Sequence, residues 1–552
     1  MKRTDSFLLF SLLTVIPCSL ALAQVETLAT WEGEAEGDQF GVAVALGGDF
    51  NGDGRADLAV GASTNDEGGE NAGKVFLYLG GTPPAELPAL ELIGTTGSFF
   101  GSAVAWAGDV DSDGYDDLLI GAYRDDEGGV NAGKAYLFRG GDPLDGTADL
   151  VLLGTEPGAY FGRVVAGVGD LDADGIDDFA VGAPRAVEGE THLYFGSESL
   201  DGNADLVLRG EADGDRFGSS IAGIGNVDGQ AGNDLLIGAS RASPDLTWQG
   251  TVSVFSGGTS LDSIADWSFS GEGAGDHLGL SVAAAGDVDD DGFADFLVGA
   301  PYRNIGQWTD AGTAYLVFGG DPIGAYDVRF EGESTEENLG YALVGCGDVI
   351  GNGLPDLLIG APGYDGSRAD VGRAILIPGG DPPDPADAIP FEGEFSDDQF
   401  GFAVAGDPFA GTSFAGAPSP DLLVGAWGYD PAGKSYVMGL PGDGSSIEQT
   451  HTQASSGERL RVRPLSNPSD SVQLRIQLSG RPERRAMLLR LAIYGSDGRR
   501  LRTWSITDPA SSFLWSADRH LGNGPPLAPG IYFIRVHGND GSRGETRIVL
   551  TR

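Results

Sequence analysis

The chain has 552 residues, with 82 aspartates and glutamates against 33 lysines and arginines, and its formal net charge is −49. A surface of that sign repels the phosphates of nucleic acids and of anionic membranes, so we expect neither as a partner. The hydrophobic content of 41%, arranged in regularly spaced runs, argues against a disordered acidic chain.

The first 23 residues are typical of a secretory signal peptide. A positively charged start precedes the short apolar stretch 7–16, and an Ala-Leu-Ala sequence ends at Ala23. We predict cleavage after Ala23, which leaves Cys346 as the one remaining cysteine and excludes an intramolecular disulfide. No later segment is apolar enough for a transmembrane helix. The sequence therefore predicts a secreted or cell-surface protein.

A Phe-Gly pair, or its Leu-Gly equivalent, recurs along residues 24–442 and is followed each time by an aspartate-rich loop and then by Gly-Ala. Its first members are Phe40, Phe100, Phe161, Phe217, Leu278, Leu339 and Phe400. The intervals between them are 60, 61, 56, 61, 61 and 61 residues. Self-similarity at a fixed period indicates a repeat architecture.

The first six units each contain four short runs of β-branched or aromatic residues bounded by Gly and Asp, as in residues 161–210. Four strands in each of seven units predict an all-β fold that begins with a seven-bladed β-propeller. The seventh unit lacks a fourth run, whereas an unmatched run at Leu28–Gly33 resembles the fourth run of other units. We infer that this N-terminal strand closes the last blade. The Phe-Gly and Gly-Ala pairs are interpreted as packing residues of the blades.

Four units carry a D-x-[DN]-x-D-G-x-x-D loop between their first two runs, which predicts about four Ca²⁺ sites. Carboxylates or amides at positions 1, 3 and 5, the carbonyl of position 7 and the aspartate of position 9 give the oxygen ligands that calcium prefers. The predicted ligands are Asp49, Asn51, Asp53, Arg55 and Asp57; Asp109, Asp111, Asp113, Tyr115 and Asp117; Asp170, Asp172, Asp174, Ile176 and Asp178; and Asp287, Asp289, Asp291, Phe293 and Asp295.

These loops have two other interpretations. An EF-hand needs a glutamate at position 12 and flanking helices, but position 12 is Val60, Ile120, Val181 or Val298 inside a strand-like run. Acidic residues are also common in exposed turns. However, four copies in one register place carboxylates close enough to repel one another without a cation. Units four, six and seven lack parts of the pattern, so we expect weak or no binding there.

The Phe-Gly pair, the aspartate loop and the Gly-Ala-Pro sequence resemble the FG-GAP repeats of the integrin α-subunit β-propeller. The resemblance covers roughly residues 24–442. It implies that the loop residues named above are structural calcium ligands on one face of the propeller, and that ligands or partner subunits use the opposite face. It implies adhesion or ligand binding rather than catalysis. Integrin leg domains and a transmembrane helix have no counterpart here, so heterodimeric signalling is not implied.

The loops predicted on the face opposite the calcium loops are not equivalent among the units. Units one and two carry small acidic residues, whereas units four to seven carry aromatic residues and an arginine, which are frequent in binding hot spots. The candidate residues for a protein or glycan ligand are Trp248, Tyr302, Arg303, Trp308, Tyr364, Trp427 and Tyr429. The alternative is that these rings pack on neighbouring loops or cover the central channel.

A second domain is predicted at residues 457–552, after a polar linker at 443–456. From His451 onward the chain has 16 arginines, no lysine and 8 acidic residues, a net charge of +8, whereas residues 1–450 carry 17 basic and 74 acidic residues, a net charge of −57. The segments 491–499 and 528–535 resemble FlgD-like immunoglobulin-like modules and type IX secretion C-terminal sorting domains. That resemblance implies a small β-sandwich for export or outer-surface attachment; the alternative is an ordinary accessory β-domain.

An enzyme is an alternative, because this type of propeller also accompanies hydrolases such as the glycosylphosphatidylinositol-specific phospholipase D. The chain contains no G-x-S-x-G, H-E-x-x-H or P-loop motif, and its five histidines fall in unrelated positions. We therefore expect a calcium-stabilised binding module without catalysis. A structural surface or matrix component without a discrete ligand is the second hypothesis.

Overall fold

We describe the chain from a computed structural model. It covers residues 25–439, apart from residues 82–84, 86, 259–260, 321–322, 325, 367, 407–420 and 430–431, together with the backbone of seven strands between residues 459 and 550. The predicted signal peptide, the predicted linker and the insertion in the seventh unit's aspartate loop lie outside the described residues.

The repeats fold into seven four-stranded antiparallel sheets, which confirms the predicted seven-bladed propeller. The first strands of the blades are β2 (Phe40–Leu46), β6 (Ala103–Gly108), β10 (Val164–Gly169), β14 (Phe217–Gly223), β18 (Ser281–Gly286), β22 (Ala342–Gly345) and β26 (Ala403–Ala405). The second strands are β3 (Leu58–Ala62), β7 (Asp117–Ala122), β11 (Asp178–Ala183), β15 (Leu235–Ala239), β19 (Asp295–Ala300), β23 (Leu357–Ala361) and β27 (Leu422–Ala426).

The two outer positions of each blade complete the sheets. The third strands are β4 (Lys74–Tyr78), β8 (Lys134–Phe138), β12 (Glu190–Tyr194), β16 (Thr251–Phe255), β20 (Thr313–Val317), β24 (Arg373–Ile377) and β28 (Lys434–Gly439). The fourth strands are β5 (Leu90–Ile93), β9 (Leu150–Leu153), β13 (Leu206–Arg209), β17 (Trp267–Ser270), β21 (Val328–Glu331), β25 (Ile389–Glu392) and β1 (Glu26–Glu32). A short 3-10 helix, Pro385–Asp387, precedes β25.

Burial falls from the middle of each blade toward its outer edge. The second strands are buried at every position, because both of their faces pack against neighbouring blades. The fourth strands, such as β5 and β9, alternate between buried and exposed positions. The first strands line a central cavity of about 650 Å³ with small apolar residues such as Ala105 and Val165.

The Gly-Ala and Phe-Gly pairs meet at the contact between successive blades. A Cβ atom added to Gly121 of one blade would lie 2.0 Å from the carbonyl oxygen of Gly162 in the next. In the same interface Gly133 forms a parallel bridge with Phe161, whose amide donates to the carbonyl of Ala132 at 2.9 Å. Glycine is therefore required at position 121 by the space between the blades and not by its backbone angle. The pairs act as packing residues, as the sequence indicates.

The ring closes inside the seventh blade, where both ends of the propeller segment meet. Strand β1 pairs antiparallel with β28, from Glu26 opposite Gly439 to Glu32 opposite Lys434. The Trp31 side chain of β1 is only 7% exposed, and its ring centroid lies 5.0 Å from that of Tyr78 in the first blade. Pairing the two ends removes an open sheet edge and holds blade seven against blade one.

Buried lysines join some of the blades, a feature that sequence reasoning missed. Lys74 is 1% exposed, and its Nζ atom lies 3.0, 2.8 and 2.7 Å from carboxylates of Glu34, Glu67 and Glu91. Glu34 follows the closing strand β1, so this cluster also spans the ring closure. A buried cation of this kind is stable because several carboxylates surround it.

The C-terminal segment contains seven strands in two antiparallel sheets. They are β29 (Arg459–Leu465), β30 (Ser471–Ser479), β31 (Met487–Gly495), β32 (Arg500–Asp508), β33 (Ser512–Asp518), β34 (Gly530–Gly538) and β35 (Arg543–Leu550). The sheet orders are β29-β30-β33 and β32-β31-β34-β35. The immunoglobulin-like sandwich itself stays a prediction, because the side chains of this segment lie outside the described residues. Within the described part of the chain, no helix has the length and hydrophobicity of a membrane span.

We predict that replacing the closing strand's tryptophan will weaken the whole ring. Trp31→Ala should lower the free energy of unfolding by about 3–5 kcal/mol, since it empties a buried aromatic site. Chemical denaturation of the full chain, followed by tryptophan fluorescence and circular dichroism, measures the effect.

The matched control is Trp248→Ala, because Trp248 is 47% exposed. We expect it to change the free energy of unfolding by less than about 1 kcal/mol. Equal stability of the two variants would show that β1 does not hold the ring closed.

Candidate functional site

The aspartate loops all lie at one end of the blades, where each first strand turns into the second. The first loop, for example, joins β2 to β3. We call this end the loop face. The Phe-Gly and Gly-Ala pairs lie at the other ends of the same strands, and we call that end the opposite face.

Each complete loop is wrapped around its first aspartate by backbone hydrogen bonds. In the first loop the amides of Asp53 and Gly54 donate to the two carboxylate oxygens of Asp49, at 2.9 and 2.8 Å. The amide of Arg55 donates to Asp53 at 3.0 Å. Glycine at the sixth position has a φ of 81° in Gly54, so a residue with a side chain would be strained there. The pattern brings alternate side chains to the same side of the turn.

Carboxylate oxygens converge in three of the four complete loops. The groups whose oxygen atoms lie within 4.8 Å of one another are Asp109, Asp111 and Asp113; Asp170, Asp172 and Asp178; and Asp287, Asp289 and Asp291. The first loop carries the amide of Asn51 at its third position, and the amide of Asp53 donates to its Oδ1 atom at 3.0 Å. The position-7 carbonyls of Arg55, Tyr115, Ile176 and Phe293 stay predicted ligands.

The second loop contains a buried oxygen without a hydrogen-bond donor. Asp111 is 8% exposed, and its Oδ1 atom has no partner among the described residues. Its Oδ2 atom lies 2.9 Å from the guanidinium of Arg139, at the end of β8. Burying a carboxylate oxygen without a partner is costly. The loop therefore offers an unsatisfied acceptor to a cation.

The ninth position has a second function that sequence reasoning missed. The Asp57 carboxylate accepts the amides of Phe50 at 3.0 Å and Gly80 at 2.8 Å, and so joins the loop to the end of β4. The same two bonds recur for Asp234 and Asp356, in units that lack the full ligand set. All seven copies are at most 2% exposed: Asp57, Asp117, Asp178, Asp234, Asp295, Asp356 and Asp421. This aspartate braces the blade whether or not a metal is expected.

Burial also changes the acidity of these braces. Burial raises the pKa of Asp57, Asp117, Asp178 and Asp295 to about 7. Hydrogen bonds from backbone amides lower the pKa of the same groups, but burial has the larger effect. Nearby loop carboxylates raise the pKa further. A cation at the loop face would favour the ionised form of each of these groups.

Side-chain amides act as hydrogen-bond donors in the incomplete loops of units four and six. In unit four the Asn226 amide donates to the Gln230 carbonyl, and the Gln230 amide donates to Asp228 at 2.7 Å. In unit six Ile350 stands at the third position, and the Asn352 amide donates to the Gly379 carbonyl at 3.1 Å. Amide donors thus occupy positions where the complete loops place oxygen acceptors.

Neighbouring complete loops are joined directly. The amide of Asp49 donates to the Asp116 carboxylate at 2.7 Å, and the amide of Asp116 donates back to the Asp49 carbonyl at 3.2 Å. The amide of Asp109 likewise donates to Asp177 at 3.2 Å. The first three loops therefore form one hydrogen-bonded row. Backbone bonds from Asn233 to Asp170 at 2.8 Å and from Ala294 to Asn226 at 3.0 Å continue it through the incomplete loop of unit four to the loop of unit five.

On the opposite face, the predicted ligand residues divide into separate groups. Trp248 lies 5.8 Å from the ring of His277, which lies 5.3 Å from the ring of Tyr302. Trp427 lies 5.4 Å from the ring of Phe402. Trp308 belongs to a tight turn in which its amide and that of Ile305 donate to each other's carbonyls.

The other three predicted ligand residues contact charged groups nearby. Arg303 pairs with Glu272 and with Glu331, at 2.6 and 3.0 Å. The guanidinium of Arg373 lies 4.3 Å from the ring centre of Tyr364. Lys434 Nζ lies 4.7 Å from the ring centre of Tyr429. These contacts give the three residues structural roles beside any role in binding.

Sequence reasoning also missed an arginine cluster on the opposite face over blades two to four. Its members are Arg124, Arg163, Arg185, Arg216 and Arg241. The available signal was their position, since each arginine directly flanks a Phe-Gly pair or follows a Gly-Ala pair by two residues.

Comparison with known proteins supports the same fold. Residues 40–78, 100–138 and 278–317 match the sequence model of the FG-GAP repeat, and each segment contains one complete aspartate loop. Integrin alpha-5 of Xenopus laevis is 35% identical over 225 residues, which is 38% of this chain and 21% of that protein. Integrin alpha-V of Gallus gallus is 32% identical over 235 residues, which is 40% of this chain and 22% of that protein.

A phosphatidylinositol-glycan-specific phospholipase D of Homo sapiens is also similar, with 29% identity over 320 residues, 51% of this chain and 37% of that protein. The chain thus spans from about a fifth to under two fifths of the length of these relatives. The FG-GAP matches and the integrin alpha relatives together support an integrin-like β-propeller.

We predict that the ninth-position aspartate stabilises a blade without metal. Asp234→Ala should lower the free energy of unfolding in metal-free buffer by about 2–4 kcal/mol, because it leaves the buried amides of Val227 and Gly257 without acceptors. Urea denaturation measures the change.

Asp228→Ala is the control from the same loop, since the Asp228 carboxylate bonds only within that loop. We expect a change below about 1 kcal/mol. If Asp234→Ala is as stable as this control, the bracing role is wrong.

Proposed function

We propose that this chain is a secreted or cell-surface calcium-binding β-propeller that acts as an adhesion or ligand-binding module and has no catalytic activity. The observation that carries the proposal is the convergence of three carboxylates within 4.8 Å in each of three loops of an integrin-like propeller. Two of those loops, at residues 109–117 and 287–295, lie inside segments that match the FG-GAP repeat.

The donors in the loops fit calcium by their chemistry. Every side-chain atom predicted to bind the metal in the complete loops is a carboxylate or amide oxygen, the type of ligand that calcium takes in flexible turns. The unpartnered Oδ1 atom of buried Asp111 is an acceptor that a cation would satisfy. The residues that would hold the ions are the four sets predicted from the sequence, about four sites in all. Bound calcium would supply positive charge that offsets the repulsion among the carboxylates.

The row of joined loops suggests how calcium would affect the ring. Asp116 and Asp177 connect the first three loops through bonds to Asp49 and Asp109. Ordering one loop would therefore order its neighbour, so the first three sites would bind cooperatively. The fifth-unit site would be less strongly coupled to them, because the incomplete loop of unit four stands between and is bonded to unit five through the Ala294 amide and the Asn226 carbonyl at 3.0 Å.

The opposite face is the proposed ligand surface. The integrin alpha relatives support a binding role for the propeller, and half-buried aromatic rings such as Tyr302 and Trp427 lie on this face. We propose a protein or a glycan as the ligand. The phospholipase D relative matches this chain over 37% of its own length. We do not favour the alternative that this chain is an accessory domain of a hydrolase.

For the C-terminal segment we propose an immunoglobulin-like sandwich that serves export or outer-surface attachment. Its two antiparallel sheets and its net charge of +8 from His451 onward support a domain separate from the acidic propeller. Secretion through the predicted signal peptide belongs to the same proposal.

We predict that calcium raises the melting temperature of the full chain strongly. A ligand at a hundredfold excess over its dissociation constant stabilises the native state by roughly 2.7 kcal/mol per site. Differential scanning calorimetry in millimolar calcium, in millimolar magnesium and in chelator measures the shift. An equal melting temperature in calcium and in chelator would contradict calcium binding.

A matched variant removes the fifth-position metal ligands and keeps the buried ninth-position aspartates. It replaces the exposed fifth-position carboxylates Asp53, Asp113, Asp174 and Asp291 with alanine. We expect it to melt like the unaltered protein in chelator and to lose the calcium shift. A retained shift would place the metal elsewhere.

We predict one saturable ligand for the opposite face on protein and glycan arrays probed in calcium. Trp308→Ala and Trp427→Ala should weaken its binding at least tenfold if the predicted aromatic residues contact it. Binding that neither variant changes would remove these residues from the ligand site. Arrays without any saturable hit would favour a structural matrix component.

A further inference from the structure

The arginine cluster on the opposite face is unusual in a strongly acidic propeller. Residues 1–450 carry 17 basic residues and a net charge of −57. Five of those basic residues nevertheless lie together over blades two to four. Arg124, Arg163 and Arg185 are exposed, and Arg216 and Arg241 are half-buried.

None of the five guanidinium groups has a carboxylate partner in the part of the chain that the structure describes. The arginines that form ion pairs there are Arg139, Arg209, Arg303, Arg329 and Arg373. The Nε atom of Arg241 is buried without a hydrogen-bond acceptor. The guanidinium N–H groups of the cluster are therefore available to hydrogen-bond an external ligand.

Nearby acids are engaged elsewhere. The carboxylate of Asp215, directly before Arg216, accepts the amide of Ala212 at 3.0 Å. The carboxylate of Asp276, in the next unit, accepts the amide of Gly273 at 2.7 Å. Both acids stabilise their own turns and do not pair with the cluster.

Aromatic rings hold the guanidinium groups in place. The guanidinium carbons of Arg124, Arg163 and Arg185 lie 4.6, 5.0 and 4.4 Å from the ring centres of Phe99, Tyr123 and Tyr160. Arg241 lies 5.0 Å from the ring of Trp248. A guanidinium stacked on a ring keeps its N–H edges free for a planar carboxylate.

Shared rings bring the arginines together: Arg124 and Arg163 lie over the same Tyr123 ring, at 5.5 and 5.0 Å, and that ring lies 5.1 Å from the Tyr160 ring that Arg185 covers. Burial lowers the pKa of Arg216, and the charges of Arg241, Arg185 and Arg163 lower it further. An anion placed among them would relieve this repulsion. The cluster is thus one site of several charges and not a set of separate surface residues.

Exposed apolar side chains lie beside the charges. Val187 is 60% exposed, two residues after Arg185. Leu246 and Trp248, in the loop that follows Arg241, are 43% and 47% exposed. Arginine and aromatic residues are enriched in protein-binding hot spots, and the exposed aliphatic side chains beside them add apolar contact area. Aliphatic side chains offer little to a sugar.

We propose that the arginine cluster binds a short acidic segment of a protein partner, whose carboxylates contact Arg163, Arg185 and Arg216 and whose apolar side chain packs against Val187, Leu246 and Trp248. This inference rests on the proposed ligand-binding function of the opposite face and names its ligand. The segment must be short, because the surrounding acidic surface repels an extended polyanion.

The experiment uses the full chain in calcium and a peptide array in which two aspartates or glutamates flank one apolar residue. Matched peptides carry asparagine, glutamine or lysine in place of the acids. We expect saturable binding of acidic peptides only, with an affinity that falls as sodium chloride rises. Arg163→Gln and Arg185→Gln should each weaken the best acidic peptide roughly tenfold.

Arg209→Gln is the control, because Arg209 lies on an outer strand and pairs with Glu190 at 2.9 Å. It should bind like the unaltered protein, and circular dichroism confirms that each variant is folded. Acidic peptides that bind no better than the neutral set, or that bind the cluster variants unchanged, overturn the inference. Saturable binding of a glycan or of a basic peptide to this face would overturn it too, while leaving the proposed binding function in place.

Discussion

The propeller depends on a close approach between the backbones of neighbouring blades that only glycine allows. At each contact between blades, a glycine of the second strand faces the carbonyl of the Phe-Gly glycine in the next blade, with no room for a side chain at positions such as Gly121. The phenylalanine beside that carbonyl bonds to the backbone of the preceding blade and fills the core between them. Because the contact repeats around the ring, the blade spacing is the same everywhere, and the loops at both ends are held in register. The functional faces take their geometry from this contact.

In the aspartate loops, different positions of one motif serve blade stability and cation binding. The ninth-position aspartate is buried in every unit, and in units one to six, including the incomplete units four and six, it accepts two backbone amides. The fifth-position aspartates are exposed and bond mainly to their own turn. Stability keeps the ninth position in all units, whereas only cation binding would require the others. This explains physically how units four and six can lose acidic residues and still form blades.

Much of the fold follows from sequence pattern, since period, strand number and closing strand can all be read from recurring residues such as Phe40 and Leu278. The loops that gather carboxylates were also predictable, because alternation around a glycine brings side chains together. Other features were not. Lys74 is a charged residue at a buried strand position, and nothing in the local sequence shows that Glu34, from across the ring closure, reaches it. Similarly, Arg163 and Arg216 are isolated in the sequence and become neighbours only when blades three and four stand side by side. Long-range charge pairing depends on tertiary geometry that local pattern does not contain.

The pairing of β1 with β28 has a consequence for how the molecule is made. Glu32 and its partner Lys434 are about 400 residues apart, so the first strand to emerge during synthesis is among the last to find its place. Until then it is an unpaired edge carrying Trp31, and the growing chain presents a sheet edge at each end. Formation of the ring is therefore a late, non-local step, and the chain must be protected from pairing with other copies of itself while it waits.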